Sequence, residues 1–392
     1  MTPYSDFLYF GVFLYLLLPT LVLGLLGKAN RNWLLFCSLL TLPLHFGADV
    51  PVSKTKAVTE IFFALGFLGF EAALAGVFLR FKSRAAFYIA LPLSVAPLAL
   101  AKFLPLFLTD SAAGFLGISY VTFRALDILF SIHDGALKAF TFREYFAYLF
   151  FFPTISSGPI DRFRRFLQDW NRARSRQDFL RDLDLAVDRL FRGFLYKFLI
   201  AALIRTYWMD RAELAQGWLP MLSYMYAYTF YLFFDFAGYS AFAVSISHLF
   251  GIRVPENFNR PFLAHNIRDF WNRWHISLSF WFRDHVYMRF LLAAAKGKWF
   301  KGKHTSSVLG LFLTFGLMGI WHGPHLHYIL YGFYHAVLLS AFDWFARWNK
   351  EHKVWPDGPR WRIFDTLLTF HAVAFGLLLF SGHLTRPTPA LP

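Results

Sequence analysis

Two histidines set in apolar surroundings are the residues best suited to chemistry. His275 lies in Phe270-Trp271-Asn272-Arg273-Trp274-His275-Ile276-Ser277-Leu278-Ser279, and His322 ends the apolar run Gly316-Leu317-Met318-Gly319-Ile320-Trp321-His322-Gly323-Pro324. An imidazole exchanges its proton near neutral pH. Acyl transfer from a thioester to an alcohol needs such a base, a donor for the developing oxyanion and a site poor in water. A positioned base contributes roughly 10²–10⁴-fold. On an uninterrupted helix His275 and Ser279 share a face, with Trp271 one turn earlier. That face offers an imidazole, a hydroxyl and an aromatic wall; Trp274 and Trp321 stand beside the two histidines. Gly319 and Gly323 let another helix or a substrate chain approach His322 closely. No Gly-x-Ser-x-Gly elbow occurs, so direct transfer is expected rather than a covalent serine intermediate. A metal is the rival chemistry, since His325, His327 and His335 follow His322. Pro324 breaks their helical spacing and no carboxylate accompanies them, so no metal site is expected.

The elements that position these residues are unusual. Pro255-Glu256-Asn257-Phe258-Asn259-Arg260-Pro261 reads as a turn-rich loop. Asn266 is placed to cap a helix, with Asp269 three residues on, and the pattern predicts a continuous helix through His285. Arg268, Asp269, Arg273, His275, Arg283, Asp284 and His285 fall within this stretch. Lipid does not host them cheaply, so they face a cavity, pack inside protein or lie at an interface. A lone histidine at a helix end is more often a packing residue; the depth of His322 in an apolar run and the polar helix before it raise its standing.

Composition supplies the setting. Of 392 residues 57% are hydrophobic and 16% charged, with 51 Phe. A bilayer accepts Phe in its core and Trp and Tyr at its edges, which a soluble fold of this size does not. Apolar stretches at 7–27, 33–46, 60–80, 86–108, 113–131, 138–157, 186–206, 219–250, 265–295, 306–321, 326–348 and 363–384 predict about ten to twelve membrane helices, some broken or re-entrant. The stretch from Phe7 to Leu26 has no basic residue before it and no small-residue cleavage motif after it, so it reads as a first helix. Lys28 and Arg31 follow it, and Arg80, Lys82 and Arg84 follow the third stretch, which places these loops in the cytoplasm and the N-terminus outside. The net charge of +15 sits between apolar stretches, where it sets orientation and attracts anionic lipids or an acidic protein; no nucleic-acid partner is expected. Cys37 is the single cysteine and excludes an intrachain disulfide. We expect one membrane-embedded domain over 1–392, with a catalytic core region over 255–335. A charged connecting segment covers 158–192, whose arginines and aspartates read as paired surface charge. Lys296, Lys298, Lys301 and Lys303 surround Trp299 and Phe300 in a basic loop. It reads as an interfacial anchor or, more sharply, as a docking patch for an acidic protein.

The stretch from Pro255-Glu256-Asn257-Phe258 through Phe270–Ser279, followed 47 residues after His275 by Trp321-His322-Gly323, resembles the membrane-bound O-acyltransferase superfamily. Phe234-Asp235-Phe236-Ala237-Gly238-Tyr239-Ser240 and Ser157-Gly158-Pro159 are similar to further bacterial signatures. The resemblance implies an all-α polytopic fold around a central tunnel, with His322 catalytic and His275 a second functional histidine. Ala241-Phe242, Val286-Tyr287-Met288-Arg289 and Gly316-Leu317-Met318-Gly319 look more like the teichoic-acid D-alanyltransferase branch than the alginate acetylase branch. Pro324-His325-Leu326-His327 is more polar than that pattern.

For that branch the implied donor is D-alanine held as a thioester on the 4′-phosphopantetheine of a small acidic cytoplasmic carrier protein. The implied acceptor is lipoteichoic acid outside the cell membrane of a Gram-positive-type bacterium. Other membrane proteins of teichoic-acid D-alanylation are implied as partners, and the carrier's acidity makes the Lys296–Lys303 patch a docking contact by charge complementarity. An O-acetyltransferase for an exported polysaccharide is the alternative within the class. A transporter or flippase is the alternative outside it.

Overall fold

The computed structural model describes residues 4, 7–28, 30–46, 54–107, 114–215, 217–356 and 358–385, and among these the fold is all-α, with one isolated bridge between Phe258 and Trp274. Six helical segments among the described residues are long and apolar enough to cross a membrane: Val58–Phe81, Arg84–Leu106, Trp218–Leu249, His304–His322, Leu326–His352 and Pro359–Phe380. Tyr9–Leu25 is a shorter apolar helix. The remaining expected spans are short, enclosed or broken. The chain divides into two compact units, residues 1–194 with 238–255 and residues 195–237 with 256–392.

The first unit contains α1 (Phe7–Leu25), α2 (Arg31–Phe46), α3 (Lys54–Phe81), α4 (Arg84–Phe103), α5 (Ile118–His133), α6 (Phe142–Leu149), α7 (Phe163–Asn171) and α8 (Arg176–Phe194). Apolar character alone leaves α5 free to face lipid. It is instead buried along nearly its whole length and carries Arg124 and Asp127 inward. Arg124 explains the next departure. The stretch 138–157 is not one spanning helix. It ends at Leu149 and turns through Phe152–Thr154 around Pro153. A helix that stops in an apolar interior leaves carbonyls without donors. Arg124 supplies them: its guanidinium donates to the carbonyls of Tyr148 (3.2 Å), Leu149 (3.0 Å) and Thr154 (2.7 Å), and also to the Thr154 hydroxyl.

Segment 158–192 forms α7 and α8, and many of its charges are paired. Arg165 bonds Asp161 and Asp169, Arg174 bonds Asp182 at 2.9 Å, and Arg192 bonds Asp188 at 2.7 Å. Glycines set the helix spacing. A Cβ on Gly24 would lie 2.2 Å from the Phe179 ring, and one on Gly193 would lie 2.6 Å from Phe242. Cys37 is buried in α2.

In the second unit residues 195–214 wind through two wide turns, Leu195–Ala201 and Arg205–Met209, joined by α9 (Ala202–Ile204) and ended by α10 (Asp210–Leu214). The long α11 (Trp218–Leu249) follows, its first part here and its last part in the first unit. Asp235 on α11 is paired with Lys197, which answers the cost of a carboxylate at that depth. Then come α12 (Ile267–Trp271), α13 (Ile276–Phe282), a wide turn over Arg283–Tyr287, α14 (Met288–Gly297), α15 (Lys303–His322), α16 (Leu326–His352) and α17 (Pro359–Phe380). α15 and α16 form a close hairpin. A Cβ on Gly319 would meet the Tyr328 carbonyl at 2.5 Å, and one on Gly332 would meet that of Phe315 at 2.2 Å. The helix that Gly319 admits is therefore α16.

Replacing Arg124 by Met keeps an unbranched apolar stem but removes every donor. Each buried carbonyl left short of a partner costs about 1–3 kcal/mol. We expect Arg124→Met to melt well below the parent protein in detergent; an unchanged melting curve would refute this role.

Candidate active site

The helix expected from Asn266 to His285 is broken in two, and the break positions His275. Asn266 caps α12 as the sequence suggests, its side chain accepting from the Asp269 N–H at 2.8 Å. The Asp269 carboxylate does not complete a capping box. It accepts from the His265 N–H at 3.2 Å and from Arg273 at 2.8 Å. After Trp271 the chain leaves the helix and pairs with the preceding loop. The Asn259 N–H donates to the Arg273 carbonyl (2.9 Å) and the Ile276 N–H to that of Asn257 (3.0 Å), on either side of the Phe258–Trp274 bridge.

His275 stands at the end of this pairing with φ 43°, in the left-handed region, as the residue that opens α13. A non-glycine residue held there carries strain that its surroundings must offset. Asn257 does so from within the interior. It is fully buried, and its side-chain oxygen accepts from the Ser277 hydroxyl at 2.6 Å. The expectation that His275, Ser279 and Trp271 share one helical face is thus corrected. The Ser279 hydroxyl turns back to the Trp274 carbonyl at 3.1 Å.

The His275 ring is buried edge-to-face against Phe236 at 4.7 Å, and among the described residues its Nε2 has no hydrogen-bond partner. Trp274 packs beside this group, 5.1 Å from Phe258 and 5.6 Å from Phe270. His322 belongs to another cluster of the same unit. It is the last residue of α15 and half-buried, with Trp321 at 4.6 Å, Phe380 at 4.8 Å, Tyr328 at 5.8 Å and Tyr331 at 6.3 Å.

Trp271 lies near this second cluster, 4.9 Å from Phe315 and 6.5 Å from Tyr331. It also faces His335 at 5.1 Å. His335 is fully buried on α16, and neither of its ring nitrogens has a hydrogen-bond partner among the described residues. The sequence marks it only as a further histidine. Asn257 and His335 are the residues of this region that sequence reasoning misses, because their partners are distant in sequence or aromatic.

A cavity of about 350 Å³ opens between α12, α13, α15 and α16. Trp271 and Ser279 line it with Phe315 and Met318, and Arg268, Arg283 and Asp343 supply its charged groups. So two of the side chains expected to bind substrate share one cavity after all, across the break instead of along a helix. Trp271 Nε1 is buried and, among the described residues, donates to nothing. Arg268 pairs with Asp343 and Arg283 with Asp284, the arrangement that charges in an apolar segment require.

Lys296, Lys298 and Lys301 are exposed around the end of α14, which Lys298 closes with φ 51°. Trp299 is 57% exposed there, enough to meet a membrane surface or a partner. The Lys303 side chain lies outside the described residues.

Residues 118–360, which include both histidine clusters' main elements, match the sequence model of MBOAT, the membrane-bound O-acyltransferase family. The chain belongs to that family. It is therefore a membrane-bound O-acyltransferase of all-α polytopic architecture. It is 44% identical to the teichoic acid D-alanyltransferase of Bacillus subtilis (strain 168), over 97% of this chain and 98% of that protein. With the protein of the same name from Lacticaseibacillus rhamnosus it shares 39% identity over 98% of each chain. The probable alginate O-acetylase of Pseudomonas aeruginosa is 32% identical over 57% of this chain and 42% of its own length.

The two further motifs of this acyltransferase meet each other in the first unit. The Tyr239 hydroxyl hydrogen-bonds the Ser156 hydroxyl and accepts from the Ser157 N–H at 3.3 Å. Gly158 is required because a Cβ there would lie 2.5 Å from the Thr154 backbone.

The Asn257 side chain tests whether His275 needs its support. Asn257→Ala removes the hydrogen bond from the Ser277 hydroxyl to the Asn257 side chain, a loss of about 0.5–1.5 kcal/mol. We expect a folded protein whose kcat falls more than its KM rises. Unchanged kcat would show that His275 is held some other way.

Proposed function

We propose that this acyltransferase transfers D-alanine from the phosphopantetheine thioester of an acidic carrier protein to hydroxyls of teichoic acid, with His322 as the base. The observation that carries this reading is the end-to-end similarity to two proteins named teichoic acid D-alanyltransferase, against a partial match to the alginate O-acetylases. Both histidines and α11 to α16 lie within residues 118–360, which match the family.

The chemistry follows from the donor and acceptor. The acceptor hydroxyl loses its proton to the His322 imidazole as its oxygen attacks the thioester carbonyl. A C–O bond forms, the C–S bond breaks, and the proton passes from His322 to the departing thiolate. The half-buried aromatic surround of His322 favours this by limiting water, which would otherwise compete as acceptor. Trp271 is suited to hold a polar atom of the substrate, since its buried N–H has no acceptor among the described residues and its ring lines a cavity. Trp321 and Ser279 complete the substrate contacts in this reading, and Trp274 supports His275. His275 acts as the second functional histidine, oriented by the Asn257 pairing. Arg268 and Arg283 place guanidinium donors at the cavity, each also paired with a carboxylate.

The exposed Lys296, Lys298 and Lys301 around Trp299 suit docking of an acidic carrier, by charge steering with an aromatic anchor. The direction of transfer, from cytoplasm to cell exterior, rests on the positive-inside reading of Lys28, Arg31, Arg80, Lys82 and Arg84.

His322→Ala should retain its melting temperature and carrier affinity while kcat drops about 10²–10⁴-fold. Purified enzyme with D-alanyl carrier measures this, and an acetyl donor in its place separates the acyl groups. D-alanylation by the variant at the parent rate, or turnover with acetyl donors alone, would overturn the reading. Lys298→Glu with Lys301→Glu should weaken carrier binding about tenfold or more and flatten its salt dependence. Equal binding would remove the patch from the docking surface.

A further inference from the structure

In the first unit, the turn from α1 to α2, the turn from α7 to α8 and the segment after α11 enclose a cleft of about 240 Å³. Lys28, Arg31, Arg172, Arg174 and Arg253 line it, with Trp170 as an aromatic wall. We propose that this cleft binds the phosphate of an anionic phospholipid headgroup.

The charge balance points to an anion. Three carboxylates also line the cleft, and each is already engaged. Asp182 accepts from Arg174 at 2.9 Å and Arg253 at 3.3 Å, and His248 lies 3.5 Å away. Asp178 accepts from Arg172 at 3.2 Å and Arg181 at 2.9 Å. Asp169 accepts from Arg165 at 2.7 Å and from the Arg253 N–H at 2.7 Å. Arg174 is further committed to the carbonyls of His248 and Leu249, capping the end of α11. Lys28 and Arg31 engage no carboxylate among the described residues. The Arg31 guanidinium donates to the Arg172 carbonyl at 3.3 Å and lies 6.0 Å from the Trp170 ring, which Arg143 also approaches at 5.8 Å. Two cations are thus left for a ligand in a walled cleft, where a phosphodiester finds both charge and donors.

The surroundings identify the rest of the ligand. Leu18, Val22, Leu25 and Leu26 are exposed along α1 up to the edge of the cleft, and Phe36, Leu39 and Leu40 are exposed along α2 leading away from it. The α8 helix beside them exposes Leu185, Val187 and Phe191 interleaved with the exposed Asp184, Asp188 and Arg192. The cleft therefore lies where apolar helix surface ends and charge begins, the depth of a lipid headgroup. A ligand with an anionic head and apolar chains matches both surfaces, whereas free phosphate matches only the head.

Full-length protein in uncharged detergent tests this by thermal unfolding and native mass spectrometry. Three probes are added at matched ionic strength: phosphatidylglycerol, phosphatidylcholine and inorganic phosphate. Phosphatidylglycerol should raise the melting temperature and remain bound; the other two should do neither. Lys28→Gln with Arg31→Gln should lose the shift and bind phosphatidylglycerol about tenfold more weakly. Lys350→Gln with Lys353→Gln, in the second unit, should keep both. If the double variant does not fold, Lys28→Gln alone carries the same comparison, since its ammonium forms no ion pair among the described residues. Stabilisation by inorganic phosphate alone, or equal phosphatidylglycerol binding by parent and variant, would overturn the proposal.

Discussion

A backbone that leaves its helix inside an apolar environment must find new partners for its N–H and C=O groups, and this constraint organises the protein. It is met twice by different means. In the first unit the chain breaks after Leu149, and the Arg124 guanidinium donates to three of the carbonyls around the break. In the second unit it breaks after Trp271, and residues 273–276 pair with 257–259. The first solution fixes a core. The second fixes a histidine, because the pairing ends where His275 takes its left-handed conformation.

Once His275 is held this way, its environment follows from packing. Its ring meets Phe236 on α11, a helix whose Asp235 is neutralised by Lys197. His322 is placed by a different device, the end of α15 in a hairpin closed by glycine contacts with α16. The histidine at the helix end is then surrounded by rings from α16 and α17. Aromatic side chains thus serve as walls around the candidate base, while glycines set the spacing between helices.

Charge is distributed by the same economy. Arg165 of α7, Arg192 of α8 and Arg273 are each matched to an aspartate one turn away, and Arg283 to the next residue, Asp284. Such pairs are individually weak where water reaches them, and away from water breaking one is costly because it strands an uncompensated charge. Among the described residues, Lys28 and Arg31 at the α1–α2 turn and Lys296, Lys298 and Lys301 beyond α14 pair with no carboxylate, which suits these positions to meeting a membrane or an acidic partner.

Much was legible in the sequence. Hydropathy and the aromatic content establish a polytopic α-helical membrane protein, since period and composition report directly on the solvent a segment meets. The motif from Pro255 to Ser279 and Trp321-His322-Gly323 identify the family. Helical spacing accounts for the pairs Arg165–Asp169 and Arg192–Asp188, whereas Arg174–Asp182 and Arg253–Asp182 are made by the tertiary fold. Tertiary structure decided what periodicity does not encode. Apolar runs look alike whether they face lipid or protein, so only its neighbours show that α5 is enclosed by protein. A helical pattern also continues through a break when distant residues supply the competing hydrogen bonds. His275 therefore appears within a helix in sequence and stands at the start of one in space, because Asn257 and Asn259, well before it in the chain, take up its neighbours' backbone groups. The histidines were chosen by sequence; their orientation was set by contacts that no local spacing shows.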